Sequence, residues 1–338
     1  MPIVWWTVGC AEPALPDRVV VVQRADDGEY LLAPRDRAGL ADPRRLTGDL
    51  GVGFSGGRLR VDGYLDGGAL DIPYAIEQGD GVPLDAQGLV LWSFWYHLDD
   101  ARDALEARGV DVSPIFPVNV AWTPQSVLDF AAVENAAFVL GQNTFVLFPD
   151  ALDTLPVAAN AGVVRHEFGH SLFELVVTGK SGGDIAWIDA PSDQQSLVRA
   201  LNEGFADMVA TLTLDDPRFI DPSLPQPSRD VEGDAVATPS MYPSADAGDL
   251  ASLTYDPYAL GTVYASLVWD VRRATDDPDA TLALALDALA AWGETEAWGD
   301  PDQFALELIE RAAGPQLPAA CDAAAARLPH LTLPGSCT

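Results

Sequence analysis

The segment Arg165-His166-Glu167-Phe168-Gly169-His170 constrains this chain more than any other. Val163, Val164, Phe168, Leu172 and Leu175 around it can pack one side of a helix into a core, and the spacing predicts a helix over 158–178. Positions i and i+4 share a helix face, so the imidazoles of His166 and His170 point at one place. A second stretch, Asn202-Glu203-Gly204-Phe205-Ala206-Asp207, falls in a predicted helix over 194–212, and Glu203 and Asp207 again lie one turn apart.

Zinc takes neutral imidazole and carboxylate ligands in a tetrahedron, and a catalytic site leaves one corner to water. His166 and His170 are candidate ligands. Glu167, next to the first, can reach the ion's water without being a ligand and serve as general base, then acid. The third ligand must come from elsewhere. A metzincin would continue with Gly and His at fixed steps, where this chain has Phe173 and Val176. The remaining histidines, His97 and His330, sit in no metal-binding pattern. Neither has a glutamate three residues before it, which excludes the second E-x-x-H of a di-iron bundle. Two carboxylates compete: Glu174, one turn beyond His170, and Glu203. Glu203 is the stronger, because Asp207 beside it can accept the outer N–H of a ligand histidine and fix its tautomer.

HEFGH followed by NEGFAD resembles the gluzincins, especially the thermolysin and fungalysin-like metallopeptidases. The resemblance covers roughly residues 90–275 and implies a zincin-type α+β fold, with a β-containing N-terminal half carrying the active-site helix and a largely helical C-terminal half. It implies one zinc per chain on His166, His170 and Glu203, with Asp207 orienting His166. Asn135-Ala136-Ala137-Phe138 to Phe148 resembles the family's substrate-binding edge strand, so Asn135 and the Ala136 backbone would hold an extended peptide. Ser228-Arg229-Asp230 resembles the segment whose arginine touches the substrate carbonyl. Tyr258-Ala259-Leu260-Gly261, leading to Trp269-Asp270, resembles the stretch that carries a transition-state histidine. Tyr258 stands in that place, and a phenol can still donate to a developing oxyanion. The expectation is a metallopeptidase acting on peptides or proteins. The rival is a catalytically weak or inactive zinc-stabilised surface lipoprotein or binding domain, favoured by the missing histidine and disfavoured by Glu167.

Acidic residues number 51 against 19 basic, a net charge of −32, with Lys180 the single lysine. Such a surface repels nucleic acid and anionic membranes and favours a solvated monomer. Calcium would suit it, but no EF-hand loop pattern is present. No apolar run reaches the roughly 18 residues of a membrane-spanning helix. Met1 to Cys10 is apolar without a basic start and resembles the tail of a bacterial lipoprotein signal, with Thr7 in place of the usual leucine. The expectation is an extracytoplasmic protein, secreted or lipid-anchored through Cys10. With Cys10 set apart, Cys321 and Cys337 form an even pair, and a disulfide between them fits export.

The chain divides into a leader at 1–16, a β-rich region at 17–88, a subdomain with the edge strand and HEFGH helix at 89–180, and a helical subdomain with Glu203 at 181–338. Strands are expected at 18–23, 59–66 and 117–122, and a hairpin over 136–148 around Gly141-Gln142-Asn143. Further helices are expected at 90–108, 259–273, 281–292 and 301–313, and a long loop at 221–254. Gly51 to Gly57 matches both G-x-G-x-x-G and G-x-S-x-G, but no strand precedes it and no helix follows, so a glycine-rich β-turn is expected there.

Overall fold

Val19 and Val21 alternate with more exposed neighbours in β1 (Arg18–Arg24), so one face of this strand is buried and the other is not. A computed structural model describes residues 15–25, 27–37, 39–60, 63–65, 67–126, 136–148, 155–179, 190–224, 229–243, 255–295 and 299–338. β1 pairs antiparallel with β2 (Tyr30–Asp36). A second, larger sheet contains β3 (Leu40–Asp42), β4 (Thr47–Gly48) and β5 (Gly51–Ser55). Next come the short strands β6 (Arg58–Arg60), β7 (Gly63–Leu65) and β8 (Gly68–Ala69), then β9 (Tyr74–Glu77) and β10 (Asp80–Pro83). The first sheet is ordered β2-β1-β10-β9. Past the first helix, β11 (Val118–Trp122), β12 (Gln125–Ser126), β13 (Ala136–Val139) and β14 (Thr144–Leu147) follow. The larger sheet then runs β13-β14-β11-β5-β4-β3, with β8 on β5, and β13 ends the order.

Two sequence expectations change here. Gly51 to Ser55 is not a turn but β5, lying parallel to β11. A Cβ on Gly51 would sit 1.9 Å from the Val118 carbonyl oxygen, and one on Gly53 2.5 Å from Leu70 Cδ1. Gly51 and Gly53 are there for close approach, Gly51 also at a φ of 152°, and the left-handed φ angles of 66° and 85° at Gly56 and Gly57 follow the strand. The single strand expected over 59–66 is instead the antiparallel pair β6–β7, with Arg60 opposite Gly63.

Seven described α-helices follow the early strands. α1 (Ala86–Glu106) starts where Asp85 accepts the Gly88 N–H and buries Trp92, Trp95, Leu98, Ala101 and Leu105. α2 (Ala161–Thr178) carries the histidine motif between an Asn160 N-cap and the left-handed Gly179. α3 (Ser192–Leu214), α4 (Pro257–Thr275), α5 (Pro278–Glu294), α6 (Asp302–Arg311) and α7 (Gln316–Arg327) complete the set. The sequence reading stopped at 313 and missed α7. Its alanine run from 323 to 326 has strong helix propensity but little apolar–polar contrast, and Pro318 falls in the first turn, where a missing N–H is tolerated. The protein is thus mixed α and β, with sheets in the N-terminal half and helices in the C-terminal half. One apolar core runs through both, from Val19 to Leu328.

Close helix packing positions the site. A Cβ on Gly169 of α2 would lie 2.7 Å from Ala206 Cα of α3, and one on Gly204 of α3 would lie 2.4 Å from the Gly261 carbonyl oxygen of α4. Downstream, Arg327 holds the segment before α4. It donates to Asp270 Oδ2 at 2.7 Å and to the carbonyls of Gly233 and Ala235 at 2.6 and 3.0 Å, and its own carbonyl accepts from Ala237 N at 2.8 Å. Cys321 of α7 is disulfide-bonded to Cys337, with a Cα–Cα distance of 5.5 Å. No described helix is long and apolar enough to cross a membrane.

Two outcomes follow from this packing. Gly169→Ala is expected to lower stability by about 1–3 kcal/mol, read as a reduced denaturation midpoint, because the added methyl meets backbone. The second concerns His97, 2% exposed on α1. Burial drives its pKa down to about 4, against a smaller upward pull from Asp100. The folded chain therefore keeps it neutral while the unfolded chain protonates it near the ordinary 6.5. Stability should fall as pH drops from 6.5 towards 4, by up to about 3 kcal/mol from this residue, and His97→Gln should remove that part of the slope in pH-dependent denaturation curves.

Candidate metal centre

Helical spacing on α2 brings His166 and His170 Nε2 to 3.1 Å of each other. His166, Glu167 and His170 each offer a ligand atom within 4.8 Å of the others, and all three are buried. α3 adds Glu203, whose Oε2 lies 3.3 Å from His166 Nε2 and 3.7 Å from His170 Nε2. That oxygen is buried yet accepts no well-directed hydrogen bond among the described residues. Ligands held about 2.0–2.1 Å from a tetrahedral ion lie about 3.4 Å apart, close to the spacing of these three atoms.

The outer nitrogens fix which atoms face inward. His166 Nδ1 is 2.8 Å from Asp207 Oδ1, and an ionised carboxylate only accepts, so this nitrogen carries the hydrogen. His170 Nδ1 is 3.0 Å from Asn202 Oδ1, and the same logic applies. Each ring then turns an Nε2 lone pair towards Glu203. With both rings neutral, the two Nε2 atoms and Glu203 Oε2 present three acceptors to one point, with Arg229 Nη2 at 3.2 Å from His166 Nε2 and 3.7 Å from Glu203 Oε2, an arrangement that suits a cation.

The titration behaviour agrees. Burial and Arg229 press the His166 pKa down, but its contacts with Asp207 and Glu203 outweigh them and hold it at about 9. Burial would raise Glu203, but His170, His166 and Arg229 hold it down at about 2. With protons alone, the site gathers positive charge onto His166. A divalent ion bound here would take the place of that proton, since metal ligands must be deprotonated.

Glu167 is held differently. Its Oε2 accepts the Phe138 N–H of β13 at 2.7 Å, and its Oε1 is 4.0 Å from His166 Nε2. Burial raises its pKa, with the two histidines working against that. Because Phe138 N–H points away from β14, Ala136, two residues earlier, presents its backbone on the same side. Ala136 lines the cleft of 260 Å³ that also contains the two histidines, Glu167 and Glu203. Asn135 lies outside the described residues.

Arg229 packs against the group rather than standing clear of it. It is 8% exposed and hydrogen-bonded to both oxygens of Asp207. Its Nη2 is 2.9 Å from His166 Nδ1 and 3.2 Å from Nε2, nearly equidistant and so in line with neither lone pair. Its guanidinium also lies 4.7 Å from the centre of the Tyr258 ring. Tyr258 opens α4 and lines the same cleft. Glu203 and burial push its phenol pKa well above the ordinary value, despite Arg229, so it stays protonated.

Glu174, the rival third ligand in the sequence, lies elsewhere. Its Oε1 accepts the Gly141 N–H at 2.8 Å, in the turn between β13 and β14. The reason is reach: a residue one turn past His170 meets the hairpin before it meets the ion site. Two further roles escaped the sequence reading. Asn202, which directly precedes Glu203 in NEGFAD, has a side-chain amide that no spacing rule marks as a partner for a ligand histidine. The Phe138 N–H carries no side-chain signal at all. No protein-family profile and no curated protein matches this sequence.

Glu167 and Glu174 together fasten the edge hairpin to α2. Glu174→Ala should raise amide hydrogen exchange at Gly141 and along β13 by at least about tenfold, the loss of one buried charge-assisted hydrogen bond. Glu174→Gln, which keeps an acceptor, should restore most of the protection.

Proposed function

We propose that this chain is a zinc-dependent metallopeptidase of gluzincin type with a zincin fold, holding one zinc on His166, His170 and Glu203. The observation that carries the reading is the convergence of two Nε2 atoms and Glu203 Oε2 at 3.1, 3.3 and 3.7 Å, beside a glutamate that is not needed as a ligand. Imidazole and carboxylate donors at tetrahedral spacing are the set that zinc prefers, and Asp207 and Asn202 fix the ring orientations from outside. The chemistry such an ion supplies is Lewis-acid polarisation of a carbonyl and acidification of water.

The chain's own residues do the rest. Phe138 N–H pins one Glu167 oxygen and leaves the other facing the histidines, placed to take a proton from water and pass it to the leaving amine. The raised pKa of Glu167 suits a group that must both accept and return a proton. Tyr258, kept protonated, can donate to the oxyanion. Arg229 is committed to Asp207 and acts first on the orientation of His166. An extended peptide lying along the outer side of β13 would reach the backbone of Ala136. The Cys321–Cys337 disulfide supports an exported protein.

The purified chain is expected to carry one zinc and to hydrolyse casein or an unstructured peptide, with activity removed by a chelator and restored by zinc. Glu167→Gln should retain the metal and lose about 10²–10⁴-fold in kcat, whereas His166→Ala should lose the metal. Stoichiometric zinc without hydrolysis in the wild type would defeat the enzyme reading and leave a zinc-stabilised binding domain.

A further inference from the structure

At the N-terminal end of α2 lies a polar recess of 380 Å³ that shares no lining residue with the metal cleft. Arg165 forms one wall. It is 6% exposed, and its Nη2 donates to Asp100 Oδ2. Its Nε and Nη1 are buried and have no acceptor among the described residues. A guanidinium carries five N–H donors, and buried donors of a charged group are seldom left unmet.

The other walls are polar too, and Asp100 is itself on the lining. Arg24, paired with Asp216, faces the recess from β1. Ala161, the first residue of α2, is also on the lining, with its N–H donated to the Tyr30 hydroxyl at 3.2 Å. His97, also on the lining, is buried. Asp100 stands further out than its partner, its side chain 45% exposed against 7% for Arg165, while those of Arg24 and Asp216 are alike at 17% and 19%. The inner surface is therefore rich in donors, two of them on Arg165 without an acceptor among the described residues, although the chain as a whole carries −32.

We propose that this recess binds a small oxyanion on the unpartnered N–H groups of Arg165, with Arg24 beside it. The ligand is either a carboxylate or a tetrahedral inorganic oxyanion, since both present several acceptor oxygens to diverging N–H groups. Arg165 immediately precedes His166, so occupancy braces the turn of α2 that carries the metal ligands. The inference does not rest on peptidase activity.

The test is thermal unfolding of the full chain titrated with sulfate and, separately, with acetate, at an ionic strength held constant with chloride. One of the two should raise the midpoint saturably by about 2–5 °C, with sulfate indicating the inorganic ligand and acetate the carboxylate. Arg165→Met should abolish the saturable component, and Arg24→Gln should move its half-saturation at least about tenfold higher. A linear rise with sulfate, equal in wild type and Arg165→Met, is the general salt effect and would mean that the recess holds only water. If Arg165→Met does not fold, unchanged saturation in Arg24→Gln overturns the proposal.

Discussion

The backbones of α2 and α3 nearly touch where Gly169 meets Ala206, and that closeness sets where their inward-facing side chains meet. The two residues lie within the motifs that carry the chemistry. Gly169 separates Phe168 from His170, and Ala206 precedes Asp207. Any larger side chain at 169 would lift Glu203, Asn202 and Asp207 together, because all three ride on one rigid helix. α3 is fixed from its other side by the equally close contact of Gly204 with Gly261 of α4, the helix that begins at Tyr258. The distances among His166, His170 and Glu203 are set by backbone contacts, which give less than side-chain contacts do.

Around the inward-facing lone pairs, charge is arranged in layers. The two Nε2 atoms and Glu203 form the inner layer. Asp207 and Asn202 hold the outer ring nitrogens. Arg229 then compensates Asp207, so that the carboxylate is not left as a buried unpaired charge. That pairing draws the guanidinium across the His166 ring and onto Tyr258. A residue that resembles a substrate contact in the sequence is thus also a structural counter-ion.

How far the sequence could be read depended on where its information resides. The helical registers of His166, His170, Glu203 and Asp207 were legible because i, i+4 spacing is local and the residue types are chemically distinctive. The edge hairpin was legible from Gly141-Gln142-Asn143 between two apolar runs. Gly51 to Ser55 was misread because a glycine needed for a turn and one needed for backbone approach look alike until the partner, here Val118, is known. The Phe138 N–H to Glu167 bond and the Glu174 to Gly141 bond involve backbone groups, which every residue supplies, so nothing in the sequence marks them. α7 escaped because alanine offers propensity without pattern.

Arg327 gives the fold a temporal order. The segment that carries Arg229 is held by a side chain on α7, encoded far downstream, through the Gly233 and Ala235 carbonyls and the Ala237 amide. During synthesis the helix bearing His166 and His170 leaves the ribosome first, and the one bearing Glu203 follows. The anchor for the Arg229 segment does not yet exist. The segment beside His166 therefore gains this anchor only after α7 has emerged and docked.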